Sequence, residues 1–328
     1  MKQQPPHSVA IVGFGNQGEA QALNLRDAGV TVTVGARPER PAAARARALG
    51  FEVRTPIEAL RQARVAALLL PDEVVPALWP ELCAALPAGG TLVFAHGFNL
   101  LYSDLKTPGA CDVVLVAPLG PGRVLRAAFE RGERLPAYTA VHQDASAGAW
   151  ALAEAYASAI GCAPLLRTTV REETEADLFG EQAVLCGGMN ALVTAAFETM
   201  VAAGTRPEVA YLECVHQLRY LAELLNERGV AGLRRSISGT ALYGDLTRGR
   251  RVIGEPSRAA MRALLEEIRS GAFAREWAAE AAAGGPRLAG EVARAAAHPI
   301  EEARRRALGG AGEDGPDQGE SRNAMSKN

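Results

Sequence analysis

Val9-Ala10-Ile11-Val12-Gly13-Phe14-Gly15-Asn16-Gln17-Gly18 decides the fold of the first half of this chain. A four-residue apolar run leads directly into Gly-x-Gly-x-x-Gly, and residues 19–28 continue with helix-compatible Ala, Leu and Arg. The next apolar run begins twelve residues after Gly18. Glycines in this pattern also serve ordinary turns, so it is the strand–loop–helix setting that gives this one meaning. The first glycine makes the turn, the second lets backbone approach a pyrophosphate, and the third lets helix pack on strand. The positive helix end, with its exposed N–H groups, then receives the phosphate charge. Gly13, Phe14, Gly15, Asn16, Gln17 and Gly18 form the candidate dinucleotide loop.

Working outward, residues 30–34, 66–70, 91–95 and 113–117 are short runs rich in Val, Leu and Ile. Near-continuous apolar runs are what a parallel sheet buried on both faces requires. Residues 19–28 and 41–49 read as crossover helices between them. This alternation predicts an α/β, doubly wound, mainly parallel sheet, a Rossmann domain placed at residues 1–168. The rhythm changes near residues 168–170. From Glu172 onward only 3.6-residue periodicity remains, over 172–186, 190–203, 207–226, 257–270 and 273–283. Pro207 suits a helix start, and Gly229 a position just past a helix end. Residues 169–308 are therefore expected to be all-helical. Residues 309–328 are rich in Gly, Glu and Asp without periodicity, and are expected to be a disordered tail.

Composition narrows the function classes. A chain of 328 residues with 48% hydrophobic content suits two domains with real cores. Lys+Arg 35 against Asp+Glu 37 gives a charge of −2, without the basic excess that nucleic-acid binding needs. No uninterrupted apolar run approaches the ~18–20 residues of a bilayer span, so no membrane partner is expected. Residues 1–7 lack the apolar stretch of a secretory signal. Five cysteines are odd in number, scattered, and never in a CxxC pair, which suits a reducing cytoplasm.

Two further segments carry chemistry. After the second predicted strand the chain reads Val34-Gly35-Ala36-Arg37-Pro38-Glu39-Arg40. Arg37 and Arg40 suit a 2′-phosphate and so favour NADPH, whereas Glu39 leaves NADH open. A merely solvated loop is the plainer reading. In the acid-rich stretch 172–182, Asp177 and Glu181 stand four apart and share a helix face. Glu213 and Gln217 repeat the spacing. Carboxylates from two helices converging on one point would make a hard-oxygen Mg²⁺ site. A solvated acidic face fits the spacing equally well, although Leu178, Phe179 and Val184 predict partial burial.

With these motifs in hand, the sequence resembles the ketol-acid reductoisomerase family over nearly its whole length. The matching stretches are 12–18, Leu70-Pro71-Asp72-Glu73, Phe94-Ala95-His96-Gly97-Phe98-Asn99, Val141-His142-Gln143-Asp144, 174–188, Phe273-Ala274-Arg275-Glu276-Trp277 and His298-Pro299-Ile300-Glu301. The resemblance implies the short form: a Rossmann domain, then a knotted helical domain that dimerises, or forms a higher homo-oligomer, to complete each site. It implies NADPH and two Mg²⁺ ions, serving alkyl migration and then hydride transfer. It places Leu70, Pro71, Asp72 and His96 at the cofactor, and makes His96, Asp177 and Glu181 catalytic. Asp177 matches a metal-bridging aspartate and Glu181 a ligand of one ion. Glu213 matches a ligand of the other ion, or an acid just behind it, at the substrate. Ser238 matches a serine that binds the substrate carboxylate from the partner subunit. Without the family, a satisfied core histidine at a strand end is the lesser reading of His96.

Departures from the family pattern cluster at the site. Leu119 stands where the family has an active-site lysine, Gln217 where it has an acid, and Gly239 and Leu242 where it has polar side chains. The Leu119 and Gln217 changes cancel in net charge. With Gln217 neutral, the second ion is expected to bind weakly, leaving one Mg²⁺ or none. The expected function is an NAD(P)H-dependent reductase of a 2-keto-acid-like or imine substrate with weakened isomerase ability. A standard Mg²⁺-dependent reductoisomerase acting on 2-acetolactate in branched-chain amino-acid biosynthesis is the alternative, and a non-catalytic dinucleotide-binding paralogue the third.

Overall fold

The computed structural model describes residues 5–309. The expected disorder of residues 310–328 falls outside them. The chain divides into two compact units, with the boundary between Ala176 and Asp177.

The first unit is built on β1 (Ser8–Val12), β2 (Thr31–Gly35), β3 (Glu52–Arg54), β4 (Val65–Leu68), β5 (Thr91–Phe94), β6 (Asp112–Pro118), β7 (Leu135–Gln143) and β8 (Cys162–Arg167). They form one sheet in the order β3-β2-β1-β4-β5-β6-β7-β8, parallel except for the β6–β7 pair. Helices α1 (Asn16–Asp27), α2 (Pro41–Ala48), α3 (Pro56–Gln62), α4 (Val75–Ala85), α5 (Phe98–Tyr102), α6 (Gly122–Glu130) and α7 (Ala149–Ala159) connect them. Strand β1 shows why the central runs are continuously apolar. Its Val9 and Ile11 join one core with Leu25, Val34 and Tyr156, while Ala10 and Val12 join another with Leu60, Leu68 and Leu82. Both pleat faces are dry, so an alternating pattern would leave polar groups buried.

The strands that sequence reading does not find are those outside this setting. The three-residue β3 lies at one sheet edge and β8 at the other, where Leu166 is exposed. Pro164 within β8 is tolerated at an edge. In β7, Pro136, Thr139, His142 and Gln143 break any apolar run.

The second unit continues a helix that starts in the first. After α8 (Val170–Gly180) comes a π-helical turn, Glu181–Leu185, then α9 (Gly187–Ala202). Next are α10 (Pro207–Tyr211), a second π turn at Leu212–His216, and α11 (Leu218–Ser236). Then follow α12 (Gly239–Val252), α13 (Glu255–Arg269), α14 (Ala272–Ala282), α15 (Pro286–Ala296) and α16 (Pro299–Ala307). Among the described residues this unit has no strand, and Pro207 opens a helix as its position predicts. Gly229, at φ +63°, interrupts α11.

One expectation needs correction here. Val184 is 55% exposed, so only Leu178 and Phe179 carry the partial burial expected of the acid-rich segment. The run Val170–Ala202 is one 33-residue helix with an 18-residue window of mean hydropathy 1.4, only 6% of it buried. By length and composition alone it is long and apolar enough to cross a membrane, although no single apolar run within it is that long. Gly187, Gly188 and Asn190 are helical within it. More broadly, the second unit buries a small cluster around Phe197, Ala210, Tyr211 and Ala303, while Leu185, Val230, Tyr243 and Val252 are 58–66% exposed.

Candidate active site

Parallel strands carry the loops after β1, β4, β5 and β6 to one edge of the sheet. The strand order reverses beside β1, which opens the crevice where doubly wound folds take their ligands. Gly13 sits there at φ +98°, and a Cβ on it would come 2.4 Å from the Leu69 carbonyl oxygen. A Cβ on Gly18 would come 2.2 Å from the Gly13 carbonyl oxygen. Around Gly15, in contrast, nothing lies within 4 Å of that position. Two glycines are required by chain packed on chain, and the middle one leaves an open approach to the start of α1. This cradle fits a pyrophosphate. The Phe14 side chain is not part of it, since it is buried edge-on against Phe51. The Gln17 carboxamide is likewise engaged by protein, donating to Gly120 O (2.9 Å) and accepting from Gln21 (3.1 Å).

At the end of β2, Arg37 is exposed and Arg40 half-buried ahead of α2. The Arg40 N–H donates to Arg37 O, which folds the segment into a turn. Among the described residues neither guanidinium has an ion-pair partner. Past β4, Asp72 accepts from Asn99 Nδ2 at Oδ1 (2.9 Å) and at its carbonyl (3.1 Å), and Ser103 Oγ steadies Asn99. Burial pushes the Asp72 carboxyl above its usual range, against the opposing pull of His96.

His96 lies just past β5, with Nδ1 3.3 Å from Oε1 of Glu173 on α8. The other Glu173 oxygen accepts from the Gly97 N–H (3.2 Å) and the Thr174 hydroxyl (3.1 Å). Glu173 is 3% exposed and His96 24%. The carboxylate is the acceptor in each contact, so Nδ1 carries a ring proton. His96 is thus oriented by a buried acid. Sequence reading missed Glu173, although the signal was present: the four-residue ladder through Glu181 and Asp177 lands on it one turn earlier.

The second-unit candidates sit on the helices as their spacing predicts, with one unforeseen feature. Helix α8 runs unbroken from Asp177 into Glu181, which opens the first π turn. Glu213 lies within the second π turn, and Gln217 follows it. Such insertions are rare and concentrate at functional sites. The Gln217 amide donates to Glu213 Oε2 at 2.8 Å. Asp177 and Glu181 carry hard oxygen donors of the kind a divalent cation takes, and the ligand atoms of Asp177, Glu173 and His96 lie within 4.8 Å of one another. The other pair offers one carboxylate already engaged by a neutral amide, which does not fit a second. Ser238 caps α12, its hydroxyl accepting from the Ala241 N–H (3.3 Å). Gly239 is exposed and Leu242 half-buried, while in the first unit Leu119 is 45% exposed on the loop after β6.

Other motifs sort to the scaffold. Gln143 ties β7 to the carbonyls of Pro108 and Cys111. His298 accepts the Ile300 N–H through Nδ1 at the head of α16 and meets Glu198 through Nε2.

Residues 5–165 match the family model described as Acetohydroxy acid isomeroreductase, NADPH-binding domain. Residues 170–308 match that of Ketol-acid reductoisomerase, C-terminal domain. A solved NADH-preferring ketol-acid reductoisomerase from an uncultured archean is similar at 36% identity with a TM-score of 0.89, covering 92% of this chain and 93% of that one. A semialdehyde dehydrogenase NAD-binding protein from Cupriavidus necator, solved with calcium and NAD, matches at 19% identity and TM-score 0.61 over 81% of this chain and 99% of its own. A 1-pyrroline-5-carboxylate reductase from Streptococcus pyogenes matches at 13% and 0.55, over 80% and 98%. The last two share the fold alone.

Proposed function

Because the chain belongs to the ketol-acid reductoisomerase family and is an NAD(P)H-dependent oxidoreductase, we propose that it is a diverged reductase of a 2-keto-acid-like or imine substrate, with weakened isomerase ability. The observation that carries this reading is the hydrogen bond from Gln217 to Glu213. Alkyl migration needs two metals to polarise a carbonyl and stabilise an alkoxide. Reduction needs less: the crevice would hold a nicotinamide, whose chemistry would be hydride donation to a carbonyl or imine carbon. Glu173 orients His96 for proton transfer at that centre, and Asp177 and Glu181 hold one Mg²⁺ or none. Leu119 and Leu242 leave the surroundings less charged than the family pattern.

NADPH is the proposed cofactor, supported by Arg37 and Arg40, whose guanidiniums have no ion pair among the described residues. We take residues 1–168 as the cofactor domain and residues 169–308 as the helical one. The exposed apolar helix faces of the second unit support a homodimer or larger homo-oligomer, with Ser238 reaching substrate in the partner's site. They also offer a protein-facing use for the apolar run through Ala202, consistent with a cytoplasmic enzyme. The match to a reductoisomerase at 36% identity favours the standard activity as the second reading.

One assay tests all of this: oxidation of NADPH and of NADH with 3-hydroxy-3-methyl-2-ketobutyrate and with 2-acetolactate, each with and without Mg²⁺. The expected result is reduction of the already rearranged keto acid about 100-fold faster than turnover of 2-acetolactate, with NADPH preferred. Efficient Mg²⁺-dependent turnover of 2-acetolactate would establish the standard activity instead. Cofactor binding without turnover of keto acids or imines would establish a non-catalytic paralogue.

A further inference from the structure

A buried line of hydrogen bonds runs from the interior of the first unit to the loop that carries Leu119. Tyr156, fully buried on α7, donates to Gln21 Oε1 (2.7 Å). Gln21, 1% exposed on α1, donates through Nε2 to Gln17 Oε1 (3.1 Å). Gln17, one turn earlier on α1, donates through Nε2 to Gly120 O (2.9 Å). Each step has the same polarity, so the sequence of donors fixes the orientation of both amides. Burial raises the Tyr156 phenol well above its usual range and keeps the proton that starts the line.

The far end is the short turn between β6 and α6, where the Gly120 N–H closes on Pro118 O. In Pro118-Leu119-Gly120-Pro121-Gly122 the two prolines have no N–H, and the Leu119 N–H is taken by Pro136 O on β7. Opposite that anchor, Gln17 grips Gly120 from the dinucleotide side. Gly122 lies so close to Asn16 that a Cβ would come 2.0 Å from its carbonyl oxygen. The loop is therefore clamped between β7 and the first turn of α1. That same turn forms the end of the cofactor cradle.

We propose that Gln17 is a positioning residue that couples the dinucleotide loop to the Pro118–Gly122 loop and so fixes where Leu119 stands beside the reacting end of the cofactor. It sets the fit of the substrate rather than the grip on the cofactor. The kinetic part of this inference rests on the reductase reading above; the structural part does not.

The test compares Gln17→Glu and Gln17→Met with the unmodified full chain. The Glu variant keeps the acceptor for Gln21 but presents an acceptor to Gly120 O, and the Met variant keeps the bulk without either bond. The first readout is amide hydrogen exchange with NADPH bound. Exchange over residues 117–125 should quicken roughly tenfold in both variants, with β1 and the rest of α1 unchanged. Tyr156→Phe should move the same segment less. The second readout is a kinetic split in the uncharged Gln17→Met variant: KM for 3-hydroxy-3-methyl-2-ketobutyrate should rise roughly tenfold while the NADPH Kd stays within twofold. In the Glu variant the added charge in the first turn of α1 also weakens NADPH, so that variant is read by exchange alone. Unchanged exchange over 117–125, or quickening spread over the whole first unit, would overturn the proposal. So would an NADPH Kd of the Met variant that rises as much as its KM. If the unmodified chain reduces no keto acid, the reductase reading fails and the exchange comparison still decides this one.

Discussion

The dinucleotide loop of the first unit and the Glu213–Gln217 turn of the second are both ligand sites by pattern, and the chain treats them differently. Around Gly13 and Gly18 the close approaches are backbone on backbone, and Gly15 stays open. Ligand recognition there is written into a path that only glycine can follow. At the proposed second site recognition would depend on side-chain charge, and the Gln217 amide, where the resemblance implies an acid, donates to Glu213. A backbone cradle cannot be lost by degrees, because any Cβ at Gly18 collides with Gly13. A carboxylate pair can be retuned by one substitution that leaves the helix unaltered.

The sharpest way to break this contrast is Gly18→Ala. Its methyl would sit 2.2 Å from the Gly13 carbonyl oxygen, which is backbone and cannot swing aside. Either α1 or the loop must shift, at a cost of roughly 1–3 kcal/mol or more. NADPH affinity, followed by cofactor fluorescence, should fall by about 100-fold. Binding at the original affinity would show that the cradle is softer than its packing indicates.

A smaller effect sharpens the other side of the contrast. Gln217→Glu replaces the donor with a second acid four residues from Glu213, and like charges at that spacing repel by a few tenths of a kcal/mol without a cation. In EDTA the variant should melt slightly below the unmodified protein, and Mg²⁺ affinity by calorimetry should improve about tenfold. Isomerisation should not return, because Leu119 still occupies the lysine position. Adding Leu119→Lys should recover more than the sum of the single changes, since groups that act as a unit are non-additive. No gain in Mg²⁺ affinity would mean that the 2.8 Å contact does not mark the loss of an ion site.

What the sequence makes legible follows the same division. β1, β4, β5 and β6 are readable because both faces of each are largely dry, which forces near-continuous apolar runs, while β2 is readable from valines alternating with Thr31 and Thr33. At β3 and β8 one edge meets solvent, and β7 carries Pro136 and polar residues, so no run forms. The acids at 177, 181 and 213 are readable from four-residue spacing. The two π turns that hold Glu181 and Glu213 are not, because one inserted residue changes backbone hydrogen bonding without a composition signal. Glu173 was hidden for another reason. Its role depends on His96, which is 77 residues away in sequence and meets it only once the sheet is built.

The smallest expected effect concerns an acid on the cofactor side, Asp72. Burial raises its carboxyl above the unfolded value of 3.8, so the folded state favours the protonated form. An acid raised in this way contributes stability that is fully present below 3.8 and lost as pH climbs through the folded value. At neutral pH the charged Asp72 is therefore a net cost of folding, partly relieved by the 2.9 Å bond from Asn99. Asn at this position keeps an oxygen for Asn99 and carries no charge to desolvate. In cofactor-free protein at pH 7.5, Asp72→Asn should raise the melting temperature by about 1–3 °C, under about 1 kcal/mol. The gain should shrink as pH falls and vanish below pH 3.8, where the native carboxyl is itself protonated. A variant less stable at pH 7.5 would mean that the charged form is favoured at this site. The first unit would then hold an acid tuned by charge, as the second does, and the contrast between the two sites would weaken.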